Sequence, residues 1–158
     1  MLLTLKTVFF NLKSVILMIL KPSEKESDMA QRFPQGCEFS AAYQVTRDMC
    51  TDHVPGTPPI LTTPSIIYLM EATGFQAMSS KFRAGETSVG ASVSISHLAP
   101  TPVDDRITVN IRLLAEEGRK LVWEFKVLDS RGPVAEGRHE RFFIDIEEFK
   151  AGLKKRLS

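Results

Sequence analysis

The sequence predicts an α+β fold, in which an antiparallel sheet packs against one long central helix. A single strand pattern precedes a helix that is apolar on almost every side, and four further strand patterns follow it, joined by short connections. Short connections favour antiparallel neighbours, and a helix that is hydrophobic all round needs cover beyond one sheet face. We therefore expect the sheet to curl around the helix, or a second subunit to complete the enclosure.

The composition is that of an ordinary globular domain with a proper core. The 158 residues are 43% apolar and 25% charged, and the formal net charge is +1. A charge near zero gives no reason to expect nucleic acid or an anionic membrane surface as a partner. Cys37 and Cys50 form no zinc or CxxC pattern, so reduced thiols in a cytosol-like compartment are expected, with a single disulfide as the less favoured alternative.

The beginning of the chain differs from the rest, which suggests an N-terminal extension over residues 1–35 and a folded domain over residues 36–158. The apolar run at residues 15–20 is far shorter than the ~20 residues that span a bilayer, so no stable membrane span is expected. Two interpretations remain. The basic, acid-poor residues 1–20 resemble an organellar targeting segment, or the reading frame is over-extended and the true start is Met29, which we favour. The predicted location is cytoplasmic, or organellar if the segment is a targeting signal.

The elements follow in order along the folded part. Residues 38–46 alternate apolar and polar side chains, as a strand does, and the Pro-rich residues 47–62 form a long loop that suggests a lid or pocket wall. The helix begins after Thr63, which we expect to be its N-cap, with Pro64 in the first turn. Four strands follow and lead to a last helix capped by Asp145.

The alternation within the later strands predicts which side chains face the core. One inward face is predicted for each of three strands, at residues 87–98, 105–114 and 120–128. The last strand is predicted at residues 133–144. The side chains predicted to share the face of the first of these strands are Val89, Ala91, Val93, Ile95 and His97. The side chains predicted to share a face of the last strand are Ala135, Gly137, His139, Arg141 and Phe143.

Three polar or flexible positions interrupt these apolar patterns. Glu71 is the only charge in the central helix, and a lone buried carboxylate is costly unless it is paired, so it is functional, lies on a solvent-facing strip, or pairs with a buried arginine. His97 ends a core-facing row, where it is either catalytic or a hydrogen-bonded core histidine. Gly90 marks a bulge or the close approach of a ligand.

The last strand carries the remaining candidates. Arg141 is predicted to pair with a buried carboxylate or to bind an anionic group. The alternative is that this segment is a solvated edge of the sheet, and we expect His139 to be solvent-exposed. No metal site is predicted, because the three histidines are far apart in sequence and form no cluster with cysteines or carboxylates. No phosphate-binding glycine loop or nucleophile elbow occurs.

Three motifs together resemble the hot-dog-fold thioesterases related to fluoroacetyl-CoA thioesterase. They occur in the right order from about residue 38 to the C-terminus, with eight residues from Thr63 to Glu71 and seven from Gly90 to His97. The motifs are Thr63-Pro64 with Leu69-Met70-Glu71-Ala72, Ser88-Val89-Gly90 with Ser96-His97-Leu98-Ala99-Pro100-Thr101-Pro102, and Glu136-Gly137-Arg138-His139-Glu140-Arg141.

The resemblance implies a function and a set of site residues. It implies a metal-independent acyl-CoA thioesterase without cofactor, a homodimer with active sites at or near the interface, Thr63, Glu71 and His97 as the catalytic set, and Gly90 and Arg141 as substrate-binding residues. The phenylalanines that gate fluoroacyl selectivity in fluoroacetyl-CoA thioesterase have no counterpart at residues 53–62, so a general acyl preference is expected. The alternatives are a non-catalytic hot-dog acyl-CoA-binding protein and a hydratase, for which Asp52 and His53 are poor candidates.

Overall fold

A five-stranded antiparallel sheet curls around one long helix in the computed structural model, which describes residues 30–157. The strands are β1 (Glu38–Gln44), β4 (Glu86–His97), β5 (Arg106–Glu117), β6 (Lys120–Asp129) and β7 (Gly132–Asp145), in the order β1-β5-β6-β7-β4. A separate two-stranded ladder joins β2 (Cys50–Thr51) to β3 (Ile60–Leu61). The helices are α1 (Thr63–Ser79) and α2 (Ile146–Leu157). The predicted α+β fold is confirmed.

The order of the strands in the sheet matches their order along the chain only in part. The strands β5, β6 and β7 form an antiparallel meander through two tight turns, as predicted. The connection from β4 to β5 instead crosses to a distant position, because β4 pairs with β7 at the edge and β5 lies between β1 and β6. Residues 98–105 bridge this distance, and they also support β3, since Leu61 N–H donates to Thr101 O at 2.8 Å.

The inner face of the sheet packs against α1 as the alternation predicts. Each apolar side chain that the pattern directs inward from β5 and β6 is buried, and burying each one stabilises the fold by roughly 1.5–3 kcal/mol. These side chains are Ile107, Val109, Ile111, Leu113, Leu121, Trp123, Phe125 and Val127. The helix contributes Ile66, Leu69, Met70, Ala77 and Met78 to the same core.

A β-bulge between Gly90 and Ser92 corrects one prediction. Val89, before the bulge, and Ala91, within it, pack with Phe142 and Ile144 in a second apolar cluster, on the opposite face of the sheet from α1. After the bulge, the inward side chains Val93 and Ile95 pack against the main core. One inserted residue reverses which side chains of a strand face inward, so the predicted single row is wrong for Val89 and Ala91.

The described fold extends upstream of residue 36. Phe33 is buried in the main core, where its ring makes an edge contact with Trp123. Arg32 forms a bidentate ion pair with Glu86 at 2.6 and 2.9 Å and stacks 3.9 Å from the ring centre of Phe143. These contacts fasten the chain before β1 to the start of β4.

One strip of α1 is left uncovered by the part of the chain that the structure describes. Tyr68 is 71% exposed and Phe75 is 44% exposed, although the helix was predicted to be buried all round. The strand β4 is one edge of the sheet, so no other strand among residues 30–157 pairs with its outer side. Within residues 30–157, no helix is long and apolar enough to cross a membrane. The predicted targeting segment and the favoured start at Met29 lie outside the described residues.

Candidate active site

A hydrogen bond joins the beginning of α1 to the end of β4. Thr63 Oγ1 lies 2.9 Å from His97 Nδ1, and His97 Nε2 lies 3.1 Å from Ala99 O. A carbonyl oxygen only accepts, so Nε2 carries a proton, and Nδ1 exchanges its hydrogen bond with the Thr63 hydroxyl. Two of the predicted catalytic residues are therefore brought together.

The residue that caps α1 is Thr62, not Thr63 as predicted. Thr62 Oγ1 accepts from Ser65 N–H at 3.3 Å and lies 2.8 Å from Ser65 Oγ, which itself donates to Met49 O. Thr63 is the first residue of the helix. Because Thr62 accepts the hydrogen bond from Ser65 N–H, the hydroxyl of Thr63 is available to His97.

Glu71 lies in the middle of α1, on the uncovered strip. Its side chain is 44% exposed, and the nearest cation is Arg141, whose Nη1 lies 3.7 Å from Oε2. Glu71 therefore combines the two simpler interpretations of the sequence, a solvent-facing strip and a buried arginine partner. The half-exposed position allows the carboxylate to meet a molecule from solvent while the arginine supports it from behind.

Arg141 is buried beneath the helix and makes an extensive set of contacts. Its guanidinium donates to the hydroxyl and carbonyl oxygens of Ser88 and to the backbone oxygen of Glu71, at 3.2–3.3 Å. Burial lowers the pKa of Arg141, and the Glu71 carboxylate opposes that shift. Gly74 provides the space, because a Cβ there would lie 3.2 Å from Arg141 Cδ.

His139 is a residue of this cluster that the sequence interpretation placed wrongly at a solvated edge. It is 1% exposed, its Nδ1 lies 3.0 Å from Ser92 O, and its Nε2 lies 3.2 Å from Arg141 Nη1. Burial, reinforced by the neighbouring cation, lowers the pKa of His139 to about 4. The signal was present in the alternation, which puts His139 on the inward face with Arg141.

Gly90 brings the backbone of β4 against the cluster. A Cβ at this position would lie 2.8 Å from Glu71 Oε1 and 3.0 Å from His139 Cε1, so any larger residue would displace one of them. Ile146 N–H donates to Gly85 O across β4 and β7, which makes Gly90–Arg141 one of the non-hydrogen-bonded pairs of that ladder. The N–H of Gly90 consequently points away from β7, towards the open edge.

Within one chain the candidates form two groups rather than one. Thr63 and Glu71 are eight residues apart on a helix, which corresponds to ~12 Å along its axis. Gly90 and His97 are seven residues apart on a strand, which corresponds to ~20 Å. The Thr63–His97 pair thus lies at one end, and Glu71, Gly90, His139 and Arg141 form a cluster further along.

The remaining candidates lie outside both groups. Asp52 and His53 are exposed in the loop between β2 and β3, where Asp52 forms an ion pair with Arg47. Cys37 and Cys50 are free thiols, and burial raises the pKa of each. Among residues 30–157, no group of three or more His, Cys, Asp or Glu side chains is placed to hold a metal ion.

Comparison with known proteins gives a consistent result. A family described as fluoroacetyl-CoA-specific thioesterase matches residues 45–147. The fluoroacetyl-CoA thioesterase of Streptantibioticus cattleyicolor is 32% identical over 99 residues, which make up 63% of this chain and 71% of that protein.

Solved structures agree with this match. A structure of a fluoroacetyl-CoA thioesterase superposes with a TM-score of 0.73 at 26% identity, covering 79% of this chain and 98% of the other. A hot-dog-like protein from Thermanaerovibrio acidaminovorans, at 24% identity, shares the fold with a TM-score of 0.74 and covers 80% of this chain and 94% of its own. The sheet curled around α1 is therefore the predicted hot-dog fold, and the chain belongs to the fluoroacetyl-CoA-specific thioesterase family.

Proposed function

We propose that this chain hydrolyses an acyl-CoA thioester to a carboxylic acid and free CoA, at the open edge of β4 beside Glu71. The observation that carries the proposal is the contact between Gly90 and Glu71, where a Cβ would lie 2.8 Å from Oε1. A thioester carbonyl that accepts a hydrogen bond from Gly90 N–H is held next to a carboxylate. Membership of a thioesterase family supports the same chemistry.

Gly90 N–H stabilises the negative charge that develops on the carbonyl oxygen. Its direction towards the open edge supports this role, because a donor already used in the sheet would not be available to a ligand. A preorganised donor of this kind accelerates acyl transfer by about 10²–10³-fold. Arg141 adds a buried cation behind Glu71 and holds the carboxylate near the reacting carbon.

Two routes of attack are compatible with a half-exposed Glu71. In the first, Glu71 removes a proton from water, the hydroxide oxygen attacks the carbonyl carbon, and the carbon–sulfur bond breaks. In the second, a Glu71 oxygen attacks directly, CoA thiolate leaves, and water hydrolyses the resulting anhydride. Incorporation of labelled oxygen from water into Glu71 during a single turnover distinguishes the second route from the first. Both routes use protein groups and water alone, without metal or cofactor.

His97 acts in its imidazolium form: its Nδ1 proton passes to Thr63 Oγ1 while the Thr63 hydroxyl proton passes to the departing CoA thiolate, which leaves a neutral imidazole and free CoA thiol. The prediction that Thr63 or His97 hydrogen-bonds Glu71 is not met within one chain, because Thr63 bonds His97 instead. A proton donor acts within hydrogen-bond reach, and the two groups are on the order of 10 Å apart or more. We therefore assign Glu71 and His97 of one active site to different subunits.

A homodimer supplies that arrangement. The exposed side chains Tyr68 and Phe75 flank Glu71 on α1, and the edge of β4 lies beside them. A second copy placed over this strip would bury the apolar rings that one chain leaves in water, which is the cover that the apolar helix requires.

The substrate is an acyl-CoA without a fluoroacyl requirement. The loop before α1 contains no phenylalanine, tyrosine or tryptophan at residues 53–62, so an aromatic gate of this loop is missing. Its apolar side chains are Val54, Ile60 and Leu61. The free thiols Cys37 and Cys50 support a reducing, cytoplasmic location for the reaction.

Release of free thiol from a panel of acyl-CoA esters tests this function. We expect turnover by the wild type and a loss of at least ~10²-fold in kcat for Glu71→Ala and for His97→Ala. Ser94→Ala, at an exposed position of the same strand as His97, is the control and should retain wild-type rates. Binding of CoA esters without thiol release would favour the acyl-CoA-binding protein, and equal turnover in all variants would refute the assigned residues.

A further inference from the structure

His139 is a buried titratable side chain that the reaction described above does not use. It lies on the inner face of β7, opposite Val93 of β4 and Trp123 of β6, and is 1% exposed. Core positions of this kind are normally filled by apolar side chains, and a buried polar ring is costly unless both nitrogens are satisfied. Both are satisfied here, and each contact leads to a different part of the proposed site.

The first contact fixes the bulge. His139 Nδ1 lies 3.0 Å from Ser92 O, and because a carbonyl only accepts, Nδ1 carries the proton. Ser92 ends the bulge that begins at Gly90. The imidazole therefore ties the strand at the irregularity that sets the direction of the Gly90 backbone.

The second contact orients the arginine. With the proton on Nδ1, Nε2 of His139 is an acceptor, and it lies 3.2 Å from Arg141 Nη1. The same Nη1 donates to Glu71 O and lies 3.7 Å from Glu71 Oε2. A protonated ring would repel this cation and lose the acceptor, so only the neutral tautomer with hydrogen on Nδ1 fits.

The third observation is that the ring forms a wall of the site. A Cβ at Gly90 would lie 3.0 Å from His139 Cε1 and 2.8 Å from Glu71 Oε1. The backbone of Gly90 is thus packed between the imidazole edge and the carboxylate. Movement of the ring would alter the gap in which the thioester carbonyl is held.

From these contacts we propose that His139 is a positioning residue, whose neutral ring fixes the Gly90 bulge through Nδ1 and the Arg141 guanidinium through Nε2. This inference rests on the proposed thioesterase site and deepens it. His139 touches no reacting atom. It acts by fixing the position of the Gly90 N–H donor relative to the Glu71 carboxylate. Displacements of about 1 Å in such a pair can reduce the rate ~10²-fold.

Two amide substitutions separate the two contacts. An asparagine amide can place its NH₂ near the position of Nδ1, so His139→Asn retains the donor to Ser92 and loses the acceptor for Arg141. A glutamine amide reaches the position of Nε2, so His139→Gln retains an acceptor for Arg141 and loses the donor. His139→Phe keeps a ring and loses both. Val127→Ala, a buried core position of β6, is the control for simple loss of stability.

The kinetic test is kcat and KM at a temperature where every variant is folded, as checked by circular dichroism. We expect His139→Phe to lower kcat by about 10²-fold with KM changed less than about threefold, and each amide variant to recover about tenfold of that loss. Val127→Ala should keep the wild-type kcat although its melting temperature falls. Loss of stability without loss of kcat in His139→Phe would overturn the proposal.

A second measurement does not depend on turnover. Nitrogen-15 NMR of the histidine rings should show His139 as the Nδ1–H tautomer at pH 7, and Arg141→Gln should shift its Nε2 resonance. An Nε2–H tautomer, or a resonance that Arg141→Gln leaves in place, would overturn the proposal even if the protein releases no thiol. An inactive wild type with the expected tautomer would instead refute the proposed thioesterase function.

Discussion

Glu71 has a cation on one side and a glycine backbone on the other, and these two neighbours determine what the carboxylate can do. Arg141 holds it from within the protein, at 3.7 Å, while Gly90 leaves no room for a further side chain. The sequence indicated that burying the Glu71 carboxylate would be energetically costly and that Arg141 was a candidate partner for it. The exposure of Glu71 was not predictable, because it depends on which strip of α1 the sheet leaves uncovered.

The fit between Gly90 and Glu71 gives a prediction about steric tolerance. We expect Gly90→Ala to lower kcat/KM by at least ~10²-fold, because its Cβ would push the Glu71 carboxylate or the His139 ring out of place. The measurement is the thiol-release rate, accompanied by circular dichroism to show that the variant is folded. Ser94→Ala on the same strand is the matched control. Full activity of Gly90→Ala would show that the close approach has no part in catalysis.

The buried imidazole gives a prediction about pH and stability. Burial and the Arg141 cation lower the pKa of His139 to about 4, from 6.5 for a free side chain, while Glu140 opposes this shift and the Glu71 carboxylate faces the same arginine. At pH values between these two pKa values, the unfolded chain binds a proton at His139 that the folded protein does not bind. The free energy of unfolding therefore falls as the pH drops. The loss is about 2 kcal/mol between pH 7 and pH 5.

Urea unfolding at these two pH values measures the loss. His139→Gln lacks the ionisable ring and should lose about 2 kcal/mol less than the wild type over the same interval. The comparison ends near pH 5 because Glu86, whose pKa Arg32 lowers through a hydrogen bond, begins to contribute at more acidic values. Equal losses in both proteins would contradict a neutral buried His139.

At the scale of the elements, two adjacent threonines at the beginning of α1 have different roles. Thr62 caps the helix and Thr63 bonds His97. The cap was predicted at Thr63, next to Pro64, because the sequence pattern does not distinguish this residue from the preceding threonine. The choice depends on the backbone, since Thr62 is extended with φ −88° and ψ 152°, as an N-cap requires.

Substitution of each threonine in turn should separate the effect on the stability of the protein from the effect on its catalytic rate. We expect Thr62→Ala to lower the free energy of unfolding by about 1 kcal/mol through loss of the cap, and to leave kcat within about twofold. Thr63→Ala should do the reverse, changing stability by less than about 0.5 kcal/mol and lowering kcat. Chemical unfolding and thiol release on the two variants measure both effects. A larger loss of stability in Thr63→Ala would restore Thr63 as the cap.

The strands show where alternation is a sufficient guide and where it is not. In β5 and β6 every side chain predicted to face the core is buried. In β4 the same rule fails for Val89 and Ala91 and holds after the bulge, because the bulge adds a residue and the sequence carries no unambiguous mark of it. Gly90 was noted as a possible bulge, but a glycine in a strand has several explanations.

At the scale of the whole molecule, the separation of Glu71 from His97 is the main result that no local pattern predicts. Spacing along the chain gives each residue its element, but the distance between the ends of two elements follows from the tertiary structure. The family resemblance makes both residues candidates without indicating that one chain keeps them apart. An uncovered strip on α1 and an open sheet edge supply the place for a second copy.

Mixed dimers test whether one site uses two subunits. Glu71→Ala and His97→Ala chains carrying different affinity tags are co-expressed, and the dimers that contain both are purified over two columns. One of the two sites then has both residues intact, so we expect about half the wild-type kcat per dimer although each parent is inactive. Light scattering verifies that the species are dimers. Activity no higher than that of the parents would place Glu71 and His97 in the same subunit.

The bulge in β4 also makes the length of that strand a constraint on the site. One strand directs Ser88 and Gly90 towards Glu71 and Arg141 while Val89 and Ala91 join the cluster under α2, and the bulge contains one unpaired residue. Removal of Ala91 would take out only the extra residue, because Gly90 would stay opposite Arg141 and Ser92 opposite Glu140. Deletion of a residue elsewhere in β4, which a surface loop would absorb easily, would instead exchange the two faces of the strand on one side of the change.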